Sequence, residues 1–137
     1  MELKVLIVDD DEDVREYTQD IISQWKGLGL DVTFAFRSAI DGLDGMNKLH
    51  EEPFDLVIAD MKMPRMTGVQ MVTALRSNPG PNQQVPIIVV SGYADSYSEA
   101  IKTDAWSHVF TLDKPLEQDR FHRVITFAVG QKMRQGA

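Results

Sequence analysis

Polar residues stand where four apolar runs of the chain end. Leu3 to Val8 leads into Asp9, Asp10 and Asp11; Leu56 to Ala59 into Asp60; Val85 to Val90 into Ser91; and His108 to Leu112 runs on to Lys114 and Pro115. A cluster of carboxylates raises its own energy by mutual repulsion unless a cation or a proton joins it. Several aspartates gathered at one edge of a sheet therefore imply a bound divalent ion, and an oxygen-only donor set favours magnesium. The chain has no cysteine, so disulfides, thiolate zinc sites and thiol nucleophiles are excluded by inventory.

Positioning these groups requires strands whose carboxyl ends share an edge. Short apolar segments alternate with longer amphipathic ones, the pattern of repeated strand and helix units around a parallel sheet. Buried strands are predicted at Leu3 to Val8, Asp31 to Phe36, Leu56 to Asp60, Val85 to Ser91 and His108 to Leu112. Val14, Tyr17, Ile21 and Trp25 recur at helical spacing, with Gly27 and Gly29 stopping that helix. A second helix is predicted from a Ser38 cap with Asp41 reaching back, its inner face Ile40, Leu43, Met46 and Leu49, weakened by Gly42 and Gly45. Val69, Met71, Val72 and Leu75 mark a third, closed by turn residues Asn78 to Pro81. A fourth falls between Ser96 and Thr103. The fifth starts near Glu117, turns Phe121, Val124, Ile125 and Ala128 inward, and frays into a polar tail, Gln131 to Ala137.

At 137 residues with 43% hydrophobic content, the chain can bury one core, and one globular unit is expected. The first apolar run is too short for a signal peptide core or a membrane span, which makes the cytoplasm the default location. A net charge of -7 with scattered Lys and Arg argues against direct contact with nucleic acid or anionic lipid. The partner is expected to be a protein, or a small anion brought in with a cation.

Val8-Asp9-Asp10, the stretch from Asp60 to Gly68 with its Met63-Pro64, Ser91-Gly92-Tyr93 and Lys114-Pro115 stand in an order that resembles the response regulator receiver family over nearly the whole chain. The resemblance implies an α/β fold: a five-stranded parallel sheet of order 2-1-3-4-5, a flavodoxin-like, doubly wound three-layer sandwich whose crevice lies beyond the carboxyl ends of the strands. Residues 1–130 would form the receiver and 131–137 the tail. It implies phosphoryl transfer from a phosphohistidine of a sensor histidine kinase or phosphotransfer protein onto Asp60. Magnesium would be held by Asp10, Asp60 and the Lys62 carbonyl, with Asp9 acting partly through water. Lys114 would neutralise charge opposite the metal, and the Ser91 hydroxyl would donate to a phosphoryl oxygen, pulling the loop Gly92 to Ser98 inward. Such a domain is a phosphorylation switch in two-component signalling and no metabolic enzyme. Its implied partners are a downstream protein or effector domain and, on phosphorylation, a second copy of itself. With no effector domain after the fifth helix, it is expected to act alone on a partner or to belong to a larger regulator.

Each residue also has a plainer reading. Asp11 suits a helix cap. His50, His108 and His122 lack ligand spacing and read as structural or surface residues, and Met61, Met63 and Met66 as packing. Asp9-x-Asp11 is the pair expected of a haloacid dehalogenase-like phosphatase, but Asp13 stands where Thr or Val belongs. Asp9, Asp11 and Asp13 suggest a calcium loop, but Val14 replaces the needed Gly and Asp20 the closing Glu. A flavodoxin would need a hydroxyl- and glycine-rich loop where the acidic residues stand. A receiver-like interaction module that is never phosphorylated is the remaining alternative.

The chain also departs from the family. The spacing from Asp10 to Asp60 is longer than usual, with the excess expected around Gly27 to Leu30 or in the second helix. Three positions before the lysine, where many receivers carry an aromatic switch residue, stands Thr111, with Phe110 adjacent. Either Phe110 serves instead through a register shift or the coupling differs. Lys62 and Tyr93 occupy positions that flank the phosphoryl group, and their bulk predicts a long-lived phosphoform.

Overall fold

The computed structural model describes residues 1–26, 31–63, 65–92 and 108–136, with side chains through Gly130. In chain order the elements are β1 (Glu2–Val8), α1 (Glu12–Ser23), β2 (Thr33–Ala39), α2 (Gly42–Glu51), β3 (Leu56–Asp60), α3 (Gly68–Ser77), β4 (Ile87–Ser91), β5 (Val109–Asp113) and α4 (Gln118–Gly136). The strands pair in parallel in the order β2-β1-β3-β4-β5, as predicted. The helix expected between Ser96 and Thr103, the stop at Gly27 and Gly29, and Pro64, Tyr93 and Trp106 lie outside the described residues.

Strands β3 and β4 are buried at every position, which explains why their sequences are continuous apolar runs and not an alternation. Successive side chains point to opposite faces, so each strand feeds two cores. Leu6, Val8, Val57, Ala59, Ile87 and Val89 pack with Met46, Leu49, Met71 and Val72 of α2 and α3. Leu3, Val5, Ile7, Leu56, Ile58, Ile88 and Val90 pack with Ile21, Ile22, Phe121 and Ile125 of α1 and α4. The result is three layers, with the strand ends left to form an edge.

Helix α1 is capped by Asp11, whose carboxylate accepts from the amides of Asp13 and Val14, as predicted. Its apolar side holds Ile21 and Ile22, while Tyr17 is exposed. Trp25 is buried just past the helix, its indole Nε1 donating to Thr126 Oγ1 on α4 at 2.8 Å. His122 Nε2 lies 2.7 Å from the Ile21 carbonyl, which agrees with a structural role.

Helix α2 departs from prediction. Ser38 belongs to β2, which continues to Ala39, and Asp41 is the cap, accepting from the Asp44 amide at 2.8 Å. Ile40 and Leu43 are exposed, and the inner face is Gly42, Gly45, Met46 and Leu49. Gly45 brings α2 close to the sheet: a Cβ there would lie 3.1 Å from the Val8 side chain. The predicted face was therefore rotated, because the helix uses glycine backbone where larger residues were expected to pack.

Helix α3 starts at Gly68 behind a Thr67 capping box with Gln70 and buries Met71, Val72 and Leu75. Helix α4 runs on through Gly136, so the segment read as a fraying tail continues the helix backbone. Between α3 and β4, buried Asn82 accepts from the Phe54 amide and donates to the carbonyls of Leu49 and Glu52, tying its loop to the one between α2 and β3 at the far end of the sheet. No helix among the described residues is long and apolar enough to cross a membrane.

Candidate functional site

Parallel register decides which strand ends meet. Val8 is level with Ala59, Asp60 with Val90, and Ser91 with Asp113. Asp9, Asp60, Ser91 and Lys114 consequently emerge side by side along one edge. Backbone hydrogen bonds carry the ladder one step past the strands: the Asp9 amide donates to the Ala39 carbonyl, Met61 to Val90 and Lys114 to Ser91, at 3.0, 2.9 and 2.9 Å. The residues expected to act are therefore held at their backbones by the sheet itself.

One carboxylate oxygen from each of Asp9, Asp10 and Asp60 lies within 4.8 Å of the others. Asp9 and Asp60 are buried and Asp10 is exposed. Asp9 Oδ1 accepts from the Asp11 amide at 2.9 Å, while the Asp9 carbonyl accepts from Arg15 Nη1 at 2.6 Å. Burial pushes the Asp9 carboxyl up to about 6; the Asp11 amide opposes the rise, Asp60 adds to it, Lys114 opposes it and Asp10 adds to it. An oxygen-only cluster in which burial opposes the charge of Asp9 fits a hard divalent cation, and Asp9, Asp10 and Asp60 would hold it.

Lys114 Nζ reaches Asp60 Oδ1 at 3.2 Å. The peptide between Lys114 and Pro115 is cis. The Lys62 amide lies 3.4 Å from the same Asp60 oxygen, placing Lys62 in the loop that folds back over the strand end. Ser91 is buried, its Oγ 3.5 Å from Asp113 Oδ1, the outer limit of a hydrogen bond. Asp11 caps α1 and takes no place in the cluster, as its plainer reading required.

The loop from Asp60 to Gly68 is tight. The Gly68 amide donates to the Met61 carbonyl at 2.9 Å, and a Cβ on Gly68 would lie 2.7 Å from the Asp60 carbonyl oxygen, so only glycine lets α3 begin there. Met61 and Met63 are buried in the core and Met66 packs against it, in keeping with the packing role read from sequence. On β5, Phe110 lies level with Ile88 and packs edge-on against Phe127 at 5.7 Å, whereas Thr111 is exposed and level with Val89. Successive residues face opposite sides of the sheet, so Phe110 is committed to the α4 side and does not take the Thr111 position by a register shift.

Sequence reasoning missed two contacts. The Arg15 bond to the Asp9 carbonyl was visible only as a basic residue one turn into α1. Arg65, in the loop after Asp60, holds a left-handed backbone with φ of 67° and donates to Asp41. No sequence signal marks an arginine for that conformation.

A family model, described as "Response regulator receiver domain", matches residues 5–126. A response regulator protein, PilR, of Pseudomonas aeruginosa is 31% identical over 92% of this chain and 26% of its own length. A probable chemotaxis protein, CheY, of Rhizobium etli is 38% identical over 65% of the chain and 64% of that protein. The chain spans 26% of PilR and 51% of the probable C4-dicarboxylate response regulator DctR of Bacillus subtilis. Among solved structures, a CheY-like receiver domain protein from Methanospirillum hungatei superposes with a TM-score of 0.79 at 21% identity, covering 98% of this chain and 99% of that one. The receiver domain of a sensor histidine kinase from Pseudomonas aeruginosa, solved with magnesium coordinated in its active-site cleft, gives 0.75 at 17% identity and covers 95% and 99%. At these identities the structures speak for the fold.

Proposed function

The chain belongs to the response regulator receiver family, a signalling domain of two-component systems, and we propose that Asp60 is its phosphoacceptor, with Asp9, Asp10, Asp60 and the Lys62 carbonyl as the magnesium ligands. The observation that carries this reading is the convergence of three carboxylates on one another, one of them paired with Lys114. Bound magnesium would supply charge neutralisation for the phosphoryl oxygens.

The chain's own residues do the rest. A carboxylate oxygen of Asp60 forms the new bond to phosphorus in line as the bond to the donor histidine nitrogen breaks, and the ring nitrogen keeps the electron pair. The product is an acyl phosphate. Before transfer Lys114 partners the Asp60 charge; afterwards its ammonium partners the phosphoryl oxygens, a shift that a flexible four-carbon stem permits. The Ser91 hydroxyl, now at the limit of contact with Asp113, is free to rotate towards a phosphoryl oxygen and becomes the element that reports phosphorylation. Self-catalysed transfer and slow hydrolysis are the only chemistry in this reading. In this reading the chain works in the cytoplasm, with a sensor histidine kinase or phosphotransfer protein upstream and a protein partner, effector domain or second copy downstream.

Intact mass after incubation with magnesium and acetyl phosphate tests the reading, with Asp60→Asn as control. A gain of one phosphoryl group in the wild type alone is expected. No gain in either protein, with magnesium binding shown separately, would replace the reading with a phosphorylation-independent interaction module.

A further inference from the structure

The corner between β2 and α2 touches both segments assigned above to the metal. The Ala39 carbonyl receives the Asp9 amide at 3.0 Å. Two residues on, buried Asp41 holds the α2 N-terminus with Oδ1, accepting from the Asp44 amide, and receives Arg65 with Oδ2, from Nε at 2.9 Å and also from Nη2. Arg65 lies in the loop that carries Lys62. The next residue along each segment repeats the contact: a Cβ on Gly42 would sit 2.6 Å from the Met66 Cβ and 2.9 Å from the Met66 carbonyl oxygen, so the two backbones meet with no room for a side chain. The loop is pinned at its ends by the Met61 and Gly68 amides and in its middle by this corner.

Arg65 is a poor residue for its backbone. At φ of 67° an L side chain is crowded, and Gly or Asn is the usual occupant. The side-chain bonds to Asp41 offset that cost, and they exist only while the loop lies against α2. The carboxylate is almost fully buried while the arginine is more than half exposed, so the fixed partner is Asp41 and the positioned one is the loop.

We propose that Asp41 and Arg65 form a positioning pair, which sets the loop bearing Lys62 at the correct distance from Asp9 for both to serve one metal ion. The inference rests on the magnesium reading above. Neither residue touches the metal or the phosphoryl group; both act through backbone they hold still. Partners one step behind metal ligands typically change affinity about 10- to 100-fold when lost. A pair acting through a loop backbone, with one member solvent-exposed, is expected at or below the lower end of that range.

The test uses the full chain and two substitutions that spare local structure. Arg65→Asn keeps a residue at ease in the left-handed region, and Asp41→Asn keeps the helix cap while removing the charge. Magnesium affinity by titration calorimetry is expected to weaken about threefold to tenfold in each. The double variant should be no weaker than either single, because one link is being cut from two sides. A merely stabilising ion pair would lower the unfolding midpoint in chelator and leave magnesium affinity unchanged. Wild-type affinity in both single variants, or losses that add in the double, would overturn the inference while phosphorylation of the wild type still upheld the reading beneath it. A wild type that neither binds magnesium nor gains a phosphoryl group would overturn both.

Discussion

Removing the charge of Asp9 should stabilise the metal-free protein at neutral pH and leave it unchanged in acid. Asp9 is buried and its carboxyl is raised from 3.8 to about 6, with burial as the main cause. Because the folded value lies above the unfolded one, the folded state holds the proton more tightly. The associated stability is fully present below pH 3.8 and is lost as pH rises through about 6. A rise of roughly two units at 1.36 kcal/mol each sets an upper value of about 3 kcal/mol for that loss. Asparagine cannot ionise, and its oxygen can still accept from the Asp11 amide. Urea unfolding of wild type and Asp9→Asn in chelator, at pH 4 and pH 7.5, should show the variant gaining about 1–3 kcal/mol on the wild type between the two conditions. Other carboxylates work the opposite way. The Asp44 amide holds Asp41 below its usual range, Lys48 does the same for Asp44, and Lys4 for Glu52, so their stability is lost as pH falls through these lowered values. They are common to both proteins and cancel in the difference. Magnesium should reverse the ranking at pH 7.5, since only the wild type keeps every carboxylate of the proposed ligand set. A difference that does not vary with pH, or a variant less stable than wild type in chelator at pH 7.5, would refute the reasoning.

Gly68→Ala places a methyl 2.7 Å from the Asp60 carbonyl oxygen and 3.1 Å from the Met61 Cα, both backbone atoms that cannot swing aside. Thermal unfolding should show a loss of about 1–3 kcal/mol, with slower phosphoryl uptake from acetyl phosphate because Asp60 itself is displaced. Asn82→Ala strands the Phe54 amide and the Leu49 and Glu52 carbonyls at a buried position, and denaturant unfolding should report a loss on the order of 2–4 kcal/mol with phosphorylation per folded molecule unchanged. Lys62→Gly opens the exposed side of the loop after Asp60 to water. Intact-mass time courses after removal of the donor should show a phosphoform several times shorter-lived than that of the wild type, and an unchanged lifetime would remove Lys62 from the control of hydrolysis.

Legibility followed burial. Strand β3 was read to the residue, and β1 and β4 within two, because strands covered on both faces must be apolar throughout and few other segments are. Strand β2 was placed early and cut short. It is an edge strand, exposed at Thr33 and Ser38, so polar residues interrupt the run and Ser38 read as the cap of the next helix. The α2 face was misjudged because Gly42 and Gly45 look like helix breakers in sequence, while in space they admit Met66 and Val8. Asn82 carried no signal in the sequence, since its three partners come from a loop and helix end more than 25 residues away, at separations of 28, 33 and 30.

The sequence by itself placed aspartates, a hydroxyl and a lysine at the ends of apolar runs, in the order of a receiver domain built on a parallel sheet. Residue type and local spacing are enough for that, because each group need only follow its own strand. Tertiary structure decided which carboxylates meet. Asp9, Asp10 and Asp60 converge while Asp11 turns away to cap α1. It also decided that burial opposes the charge of Asp9, and that Phe110 faces α4. Those outcomes depend on register between strands distant in the chain and on how far helices close over them, quantities set by packing across the whole core and carried by no single segment.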